Sequence, residues 1–140
     1  MSRVLAGAAL LLMTGCTSGV VLPKTYPAGG TVVYKGGQPM TGGSVQFSLE
    51  SDPLLRVMGA IQNDGAFTLT TTKENTRADG APEGDYKVLV TPPLISDPRG
   101  GVEGAHKGAP PVMLPKTLRI EPNESNTFKI ELPNGPPSRS

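Results

Sequence analysis

The chain has 140 residues, a length that suits one domain rather than two. Its 13 basic and 12 acidic residues nearly cancel, and no basic patch with interleaved aromatic side chains is present, so nothing supports a nucleic-acid partner. A single cysteine excludes an internal disulfide, and the low aromatic content predicts a small core built mainly from Val, Leu and Ile.

The N-terminal residues 1–15 have the layout of a secretory signal. Arg3 is the only charged side chain before an apolar run over 4–13, which is too short to cross a bilayer as a helix. Residues 12–16 (LMTGC) resemble the bacterial lipobox, with Met at a position where Leu is usual. In that family the cysteine sulfur receives a diacylglyceryl group and the chain is cut before it, and two or three acyl chains make anchoring durable. Cys16 is therefore the expected lipidation site; an ordinary secretory signal with a chance cysteine and an N-terminal anchor helix are the alternatives.

The same resemblance implies a location for the protein. A lipidated Cys16 places the chain outside the cytoplasm in a bacterial cell envelope, with the membrane as its first partner. Thr17 follows the cysteine where Asp would be the retention signal, which favours the outer membrane in a host with two membranes. Residues 16–28, with Pro23 and Pro27, are expected to carry the domain on a flexible tether.

After the tether, two-residue alternation predicts short strands separated by Gly- and Pro-rich turns. The first strand covers 31–34, with Val32 and Tyr34 inward, and 35–40 turns the chain. The second covers 44–49, and three of its side chains point to the core: Val45, Phe47 and Leu49.

A β-hairpin is predicted over 57–72 (VMGAIQNDGAFTLTTT). A two-residue Asp64-Gly65 turn would place Ile61 and Phe67 on opposite faces. A three-residue loop closed by Gly65 in the left-handed region instead pairs Ile61 with Phe67. We take the three-residue loop, because it puts four apolar side chains on one face: Val57, Ile61, Phe67 and Leu69.

The following segments are harder to interpret from the pattern alone. Residues 73–81 are polar and loop-like, and 85–91 read as a strand. The apolar face of that strand carries Tyr86, Val88 and Val90. Residues 92–115 show no recognisable element, and a loop of that length is usually functional or disordered.

The chain is predicted to end in a closing hairpin and a tail. Strands over 117–121 and 127–132 flank a turn at 122–126, and 133–140 is expected to be disordered. The inward set of this hairpin is Leu118, Ile120, Phe128, Ile130 and Leu132. Seven strands with no helical periodicity predict an all-β, two-sheet sandwich over 29–132, because each half-apolar sheet needs another to cover it.

Four stretches carry a resemblance to a known family: 30–36 (GTVVYKG), 42–47 (GGSVQF), 63–69 (NDGAFTL) and 81–88 (APEGDYKV). They are similar to carboxypeptidase regulatory-like domains, which share the transthyretin-like (prealbumin-type, Ig-like) sandwich. A single copy behind a lipobox resembles small planctomycete-type lipoproteins. The likeness spans roughly residues 28–132 and consists of turn glycines and core positions, so it implies a fold and hardly any activity. The chain departs from the group over 108–120.

Catalytic and cofactor motifs are absent from the sequence: it has no H-E-x-x-H, no paired C-x-x-C, no phosphate-binding glycine loop and no dinucleotide fingerprint. His106 is the only histidine and the only candidate imidazole base, and a solvated loop residue is the simpler interpretation. Transthyretin-like hydroxyisourate hydrolases use several histidines, which this chain lacks. No catalytic residue, metal or cofactor is therefore predicted.

Four carboxylates could offer oxygen ligands to Ca²⁺: Asp64, Asp79, Glu83 and Asp85. Turn capping and surface solvation are the favoured roles for these side chains.

Three hypotheses for function follow. The first is a non-catalytic, membrane-tethered binding, adapter or structural module of the cell envelope, in which the loop 92–115 or a free sheet edge meets a protein or glycan partner. The second is an accessory or regulatory module of an envelope enzyme, by analogy with the place of this domain beside carboxypeptidases. The third is a small hydrolase that uses His106.

Overall fold

A computed structural model describes residues 21–93, 110–123 and 125–136 of the chain. The predicted signal at 1–15, Cys16, His106 and most of the long loop lie outside the described residues.

The described residues form an all-β fold without a helix, as predicted. Twelve short strands replace the predicted seven, because longer strands are divided between sheets and polar segments contribute strands of their own. In chain order they are β1 Thr25–Tyr26, β2 Ala28–Val33, β3 Ser44–Leu49, β4 Arg56–Ala60, β5 Ala66–Thr68, β6 Thr70–Lys73, β7 Thr76–Asp79, β8 Ala81–Pro82, β9 Gly84–Thr91, β10 Val112–Met113, β11 Leu118–Ile120 and β12 Asn126–Glu131.

The larger sheet has seven strands in the order β10-β9-β3-β4-β6-β7, with β11 also paired to β9. All of its pairings are antiparallel. The strands β1 and β8 form a separate two-stranded pair.

The smaller sheet has the order β12-β2-β5, and its β2–β12 pairing is parallel. Gly30 lies opposite Phe128 in this pairing, and a Cβ at Gly30 would overlap the Phe128 carbonyl. Only glycine allows the two backbones to approach this closely.

The core lies between the two sheets. Phe47 of β3 is buried, and its ring packs against three other aromatic rings at tilted angles. The distance between ring centroids is 6.3 Å to Phe67 in β5, 5.9 Å to Tyr86 in β9 and 6.0 Å to Phe128 in β12. Because Phe67 and Phe128 belong to the small sheet, these contacts join the two layers. The two-sheet sandwich is therefore confirmed.

The central hairpin has the predicted register. Gly65 has φ 83°, its N–H donates to Gln62 O at 3.0 Å, and Gln62 N–H donates to Ala66 O at 2.8 Å. These bonds define the three-residue loop, and the four side chains assigned to one face are all buried: Val57, Ile61, Phe67 and Leu69. The returning strand changes sheets at Leu69, so β5 joins β2 while β6 joins β4.

The prediction that 73–81 is a loop is wrong. A tight turn over Glu74 and Asn75 leads into β7, which pairs with β6 at the edge of the large sheet. An edge strand needs no continuous apolar face, and this one exposes Arg77 and Asp79. The polar composition therefore concealed a strand.

The predicted closing hairpin is also wrong. β11 pairs with β9 in the large sheet and β12 pairs with β2 in the small one, so the connection crosses between the layers. Asn126, 8% exposed, holds this crossing together. Its Oδ1 accepts from Glu121 N–H at 2.9 Å, and its Nδ2 donates to Glu121 O at 3.0 Å and to Pro27 O at 3.2 Å.

Two further boundaries differ from the prediction. The folded domain begins before residue 29, because β1 starts at Thr25 and Ala28 is buried; the segment 25–28 is therefore not tether. The stretch 92–115, expected to lack any element, contains β10 against the end of β9.

Candidate functional site

The two sites that the sequence singled out, Cys16 and His106, both lie outside the described residues. No helix among the described residues is long and apolar enough to cross a membrane.

The four carboxylates considered for Ca²⁺ do not converge. Asp64 Oδ1 accepts from Ala66 N–H at 3.0 Å and caps its turn, as expected. Asp85 and Glu83 lie 3.3 and 3.6 Å from the Arg119 guanidinium, so these two carboxylates share one cation and are not simply solvated. Within 21–93, 110–123 and 125–136, no three His, Cys, Asp or Glu side chains are grouped as metal ligands would be.

The two ends of β9 lie beside different parts of the chain, with β1 near one end and the residues that flank the long loop at the other. Thr25 pairs with Pro82, two residues before β9 begins, so the chain from Cys16 enters the domain at this end. The long loop leaves from the other end of β9 and returns at Val112, which pairs with Val90. Eight extended residues span about 25 Å, and that distance separates the two features.

An open groove of about 610 Å³ lies on the outer face of the large sheet, across β3, β4, β6 and β7. Among the described residues its lining is polar except for Met58, Gly59 and Ala60, and it includes two arginines, Arg56 and Arg77, but no acidic residue.

Strand alternation produces this lining. In β4 and β6, Val57 and Thr71 point into the core and are fully buried, so Arg56, Met58 and Thr72 must point outward. Thr71 is compatible with the core because its hydroxyl donates to Gly80 O at 2.7 Å.

The register places the two arginines in one row. Arg56 lies opposite Thr72, and Thr72 lies opposite Arg77, so the three side chains cross adjacent strands on one face. Neither arginine is in an ion pair with any residue that the structure describes.

Other basic side chains on the large sheet are paired. Lys73 Nζ lies 2.7 Å from Asp52 Oδ2, and this hydrogen bond holds the pKa of Asp52 below its ordinary value. Lys87 pairs with Glu50, and its hydrogen bond and charge lower the pKa of that carboxyl. Arg56 and Arg77 therefore differ from these neighbours in having no carboxylate partner among the residues that the structure describes.

A second hollow, of about 530 Å³, lies at the long-loop end of the sandwich. It is lined by β10, Leu114 and Pro115 on one side and by Glu131, Leu132 and Pro133 on the other, with Lys35 at its rim. Its lining is mainly aliphatic and offers few groups that could orient a ligand.

Comparison of the chain with protein-family models, with curated proteins and with solved structures finds no match. The candidate site therefore depends on geometry alone. Sequence reasoning did not find the groove, because Arg56 and Arg77 belong to no motif and lie 21 positions apart in the chain. The one sequence signal for the groove lay in the outward-facing positions of these strands, where Arg and Thr alternate with buried residues.

Proposed function

We propose that the protein is a non-catalytic, lipid-anchored module of a bacterial cell envelope, exposed outside the cytoplasm and held by acylated Cys16. Its β-sandwich acts as a binding or adapter domain. The lipobox-like LMTGC sequence supports the anchor, and the all-β sandwich agrees with the carboxypeptidase regulatory-like, transthyretin-like resemblance. Thr17 follows the cysteine where Asp would be the retention signal, so the outer membrane is the proposed location in a host with two membranes.

One observation carries the proposal: β1 and the residues that flank the long loop lie at opposite ends of β9. Residues 17–24 would link Cys16 to β1 and reach at most about 28 Å when extended. Such a link would keep the β1 end of the domain near the membrane and leave the end that bears residues 94–109 free to extend away from it. That orientation suits a module that meets an envelope protein or glycan through this loop.

Metabolic labelling with a fatty-acid probe tests the anchor. We expect the wild-type chain to be labelled and to remain with membranes, and the Cys16→Ser variant to lose both properties. Label that persists in Cys16→Ser would contradict lipidation at this residue.

Crosslinking in cells tests the binding role. A variant with 94–109 replaced by a short Gly/Ser linker keeps β10 and its pairing with β9, so the sandwich is retained. We expect a defined partner in wild type and its loss in the variant. Recovery of the same partner from both chains would place the contact elsewhere on the domain.

A further inference from the structure

Basic side chains recur at every second strand across the outer face of the large sheet. Lys87 in β9 lies opposite Ser48 in β3, and extending the β3–β4 register by one residue places Ser48 opposite Arg56. Arg56, Thr72 and Arg77 complete the row. The order across five strands is therefore cation, hydroxyl, cation, hydroxyl, cation.

The spacing of this row follows from the sheet itself. Adjacent strands lie about 4.8 Å apart, so the backbones that carry Arg56 and Arg77 lie about 10 Å apart. Thr72 occupies the midpoint with a hydroxyl group. The row therefore fits a linear ligand that lies across the strands, with acid groups that can stand about 10 Å apart and hydroxyl groups between them.

Charge determines which part of the row is free to bind. Lys87 is paired with Glu50, whereas Arg56 and Arg77 have no ion-pair partner among the described residues. Asp79 stands two residues after Arg77 on β7, and it is not among the described residues that line the groove. The groove is consequently a cationic site that an anion would complement.

We propose that this groove binds an anionic oligosaccharide whose sugars carry carboxylates. A guanidinium group presents a planar pair of donors that matches a carboxylate, so Arg56 and Arg77 would each hold one acid group. Thr70, Thr72 and Gln62 supply hydroxyl and amide groups for sugar hydroxyls, and Met58 offers an apolar contact to a ring face.

A saccharide suits this surface better than an acidic peptide. Extended peptides gain affinity by pairing their backbone with a free strand edge, but the groove lies on a sheet face. The backbone groups of β4 and β6 beneath it are already engaged by neighbouring strands on both sides. Side-chain hydroxyls, amides and guanidinium groups are what remains, and these complement hydroxyls and carboxylates.

This inference rests on the proposed binding function. It adds a class of ligand, and it places that ligand in the groove rather than at the long loop. Calorimetric titration of the purified full chain in detergent, with a short oligogalacturonate as the probe, tests it. The methyl ester of the same oligomer keeps the sugars but removes the charge. We expect the free acid to bind and the ester to bind at least about tenfold more weakly, since a charge-assisted hydrogen bond contributes more than a neutral one.

Two double variants locate the site. Arg56→Gln with Arg77→Gln should weaken binding of the free acid at least about tenfold. Arg119→Gln with Lys129→Gln makes the same charge change at exposed positions outside the groove, and should leave binding unchanged. Arg56→Lys, which keeps the charge but not the planar donor pair, should fall between wild type and the first variant. Circular dichroism confirms that each variant is folded.

Several results would overturn the proposal. These are no binding of the free acid, equal binding of acid and ester, and equal losses in both double variants. Binding of poly-glutamate as tight as that of oligogalacturonate would favour an acidic peptide as the ligand. Because this titration does not depend on acylation, whereas the fatty-acid label depends only on Cys16, a failure of one proposal remains distinguishable from a failure of the other.

Discussion

The small sheet leaves no space between its backbones at Gly30, whereas the large sheet carries exposed arginine and threonine side chains over an open outer face. In the small sheet, close contact between backbones decides which residue can stand at a position. On the outer face of the large sheet, packing does not limit which side chain a position carries. The comparison suggests that the small sheet specifies the fold, and that the outer face of the large sheet is where function can be added without loss of stability.

Of the substitutions that test this comparison, Gly30→Ala should reduce the stability of the fold most. The added methyl group would overlap the Phe128 carbonyl, which is backbone and cannot move without separating β2 from β12. We expect a loss on the order of 4 kcal/mol or more in the free energy of unfolding, or failure to fold. Urea denaturation followed by circular dichroism measures it, since the chain has no Trp to report by fluorescence.

Gly135→Ala is the matched control for Gly30→Ala. No atom beyond its chain neighbours lies within 4 Å of a Cβ at Gly135, so we expect a change of about 0.5 kcal/mol or less. Similar stability of the two variants would mean that β2 and β12 are not held at the distance described.

Asn126→Ala should have the next largest effect, because it acts on the connection between the two sheets. The substitution removes three side-chain hydrogen bonds and leaves Glu121 N–H without its acceptor. We expect a loss of about 2–3 kcal/mol in the free energy of unfolding. Asn123→Ala, on the same connection but exposed, should cost much less. Equal costs would show that the buried amide does not hold the crossing.

Tyr86→Phe should have the smallest effect, and its effect should depend on pH. The buried Tyr86 hydroxyl donates to Pro82 O at 2.8 Å, so its removal should cost about 1 kcal/mol near neutral pH. Burial raises the pKa of Tyr86 to about 12, whereas an unfolded tyrosine ionises near pH 10.

The sign of the pH effect follows from this difference. The contribution of the neutral phenol is complete below about pH 10 and is lost as pH rises towards 12. The stability difference between wild type and Tyr86→Phe should therefore shrink over that interval in denaturation experiments. Tyr26→Phe, whose hydroxyl makes no hydrogen bond within the described ranges, should show no comparable change at neutral pH. A constant difference from pH 7 to 12 would contradict a buried, neutral Tyr86.

Local chemistry made part of the fold predictable. The Asn63-Asp64-Gly65 turn and the alternation on either side of it determine the hairpin register without distant contacts, and the observed register agrees. The inward faces of β3 and β9 followed for the same reason. The residues within these elements determine their register and inward faces, so knowing which strands lie beside them is not needed to predict either.

Elements defined by distant contacts were not predictable. A turn-like segment over 122–126 fits both a hairpin and a crossing between sheets, and only the pairing of β11 with β9 and of β12 with β2 decides between them. β7 lacks an apolar face because it lies at an edge. The groove needs the adjacency of β4, β6 and β7, and with β7 interpreted as a loop, Arg77 had no reason to stand beside Arg56.

The parallel pairing of β2 with β12 also constrains the order in which the chain can fold. Asn126 bonds to Pro27 across 99 positions, so the first strand of the small sheet emerges from the ribosome long before its partner. The meander from β3 to β7 can form from neighbouring segments in the meantime. The nascent domain must therefore keep one edge of β2 unpaired until the final strand is made, and closing that distant contact is the step expected to limit its folding rate.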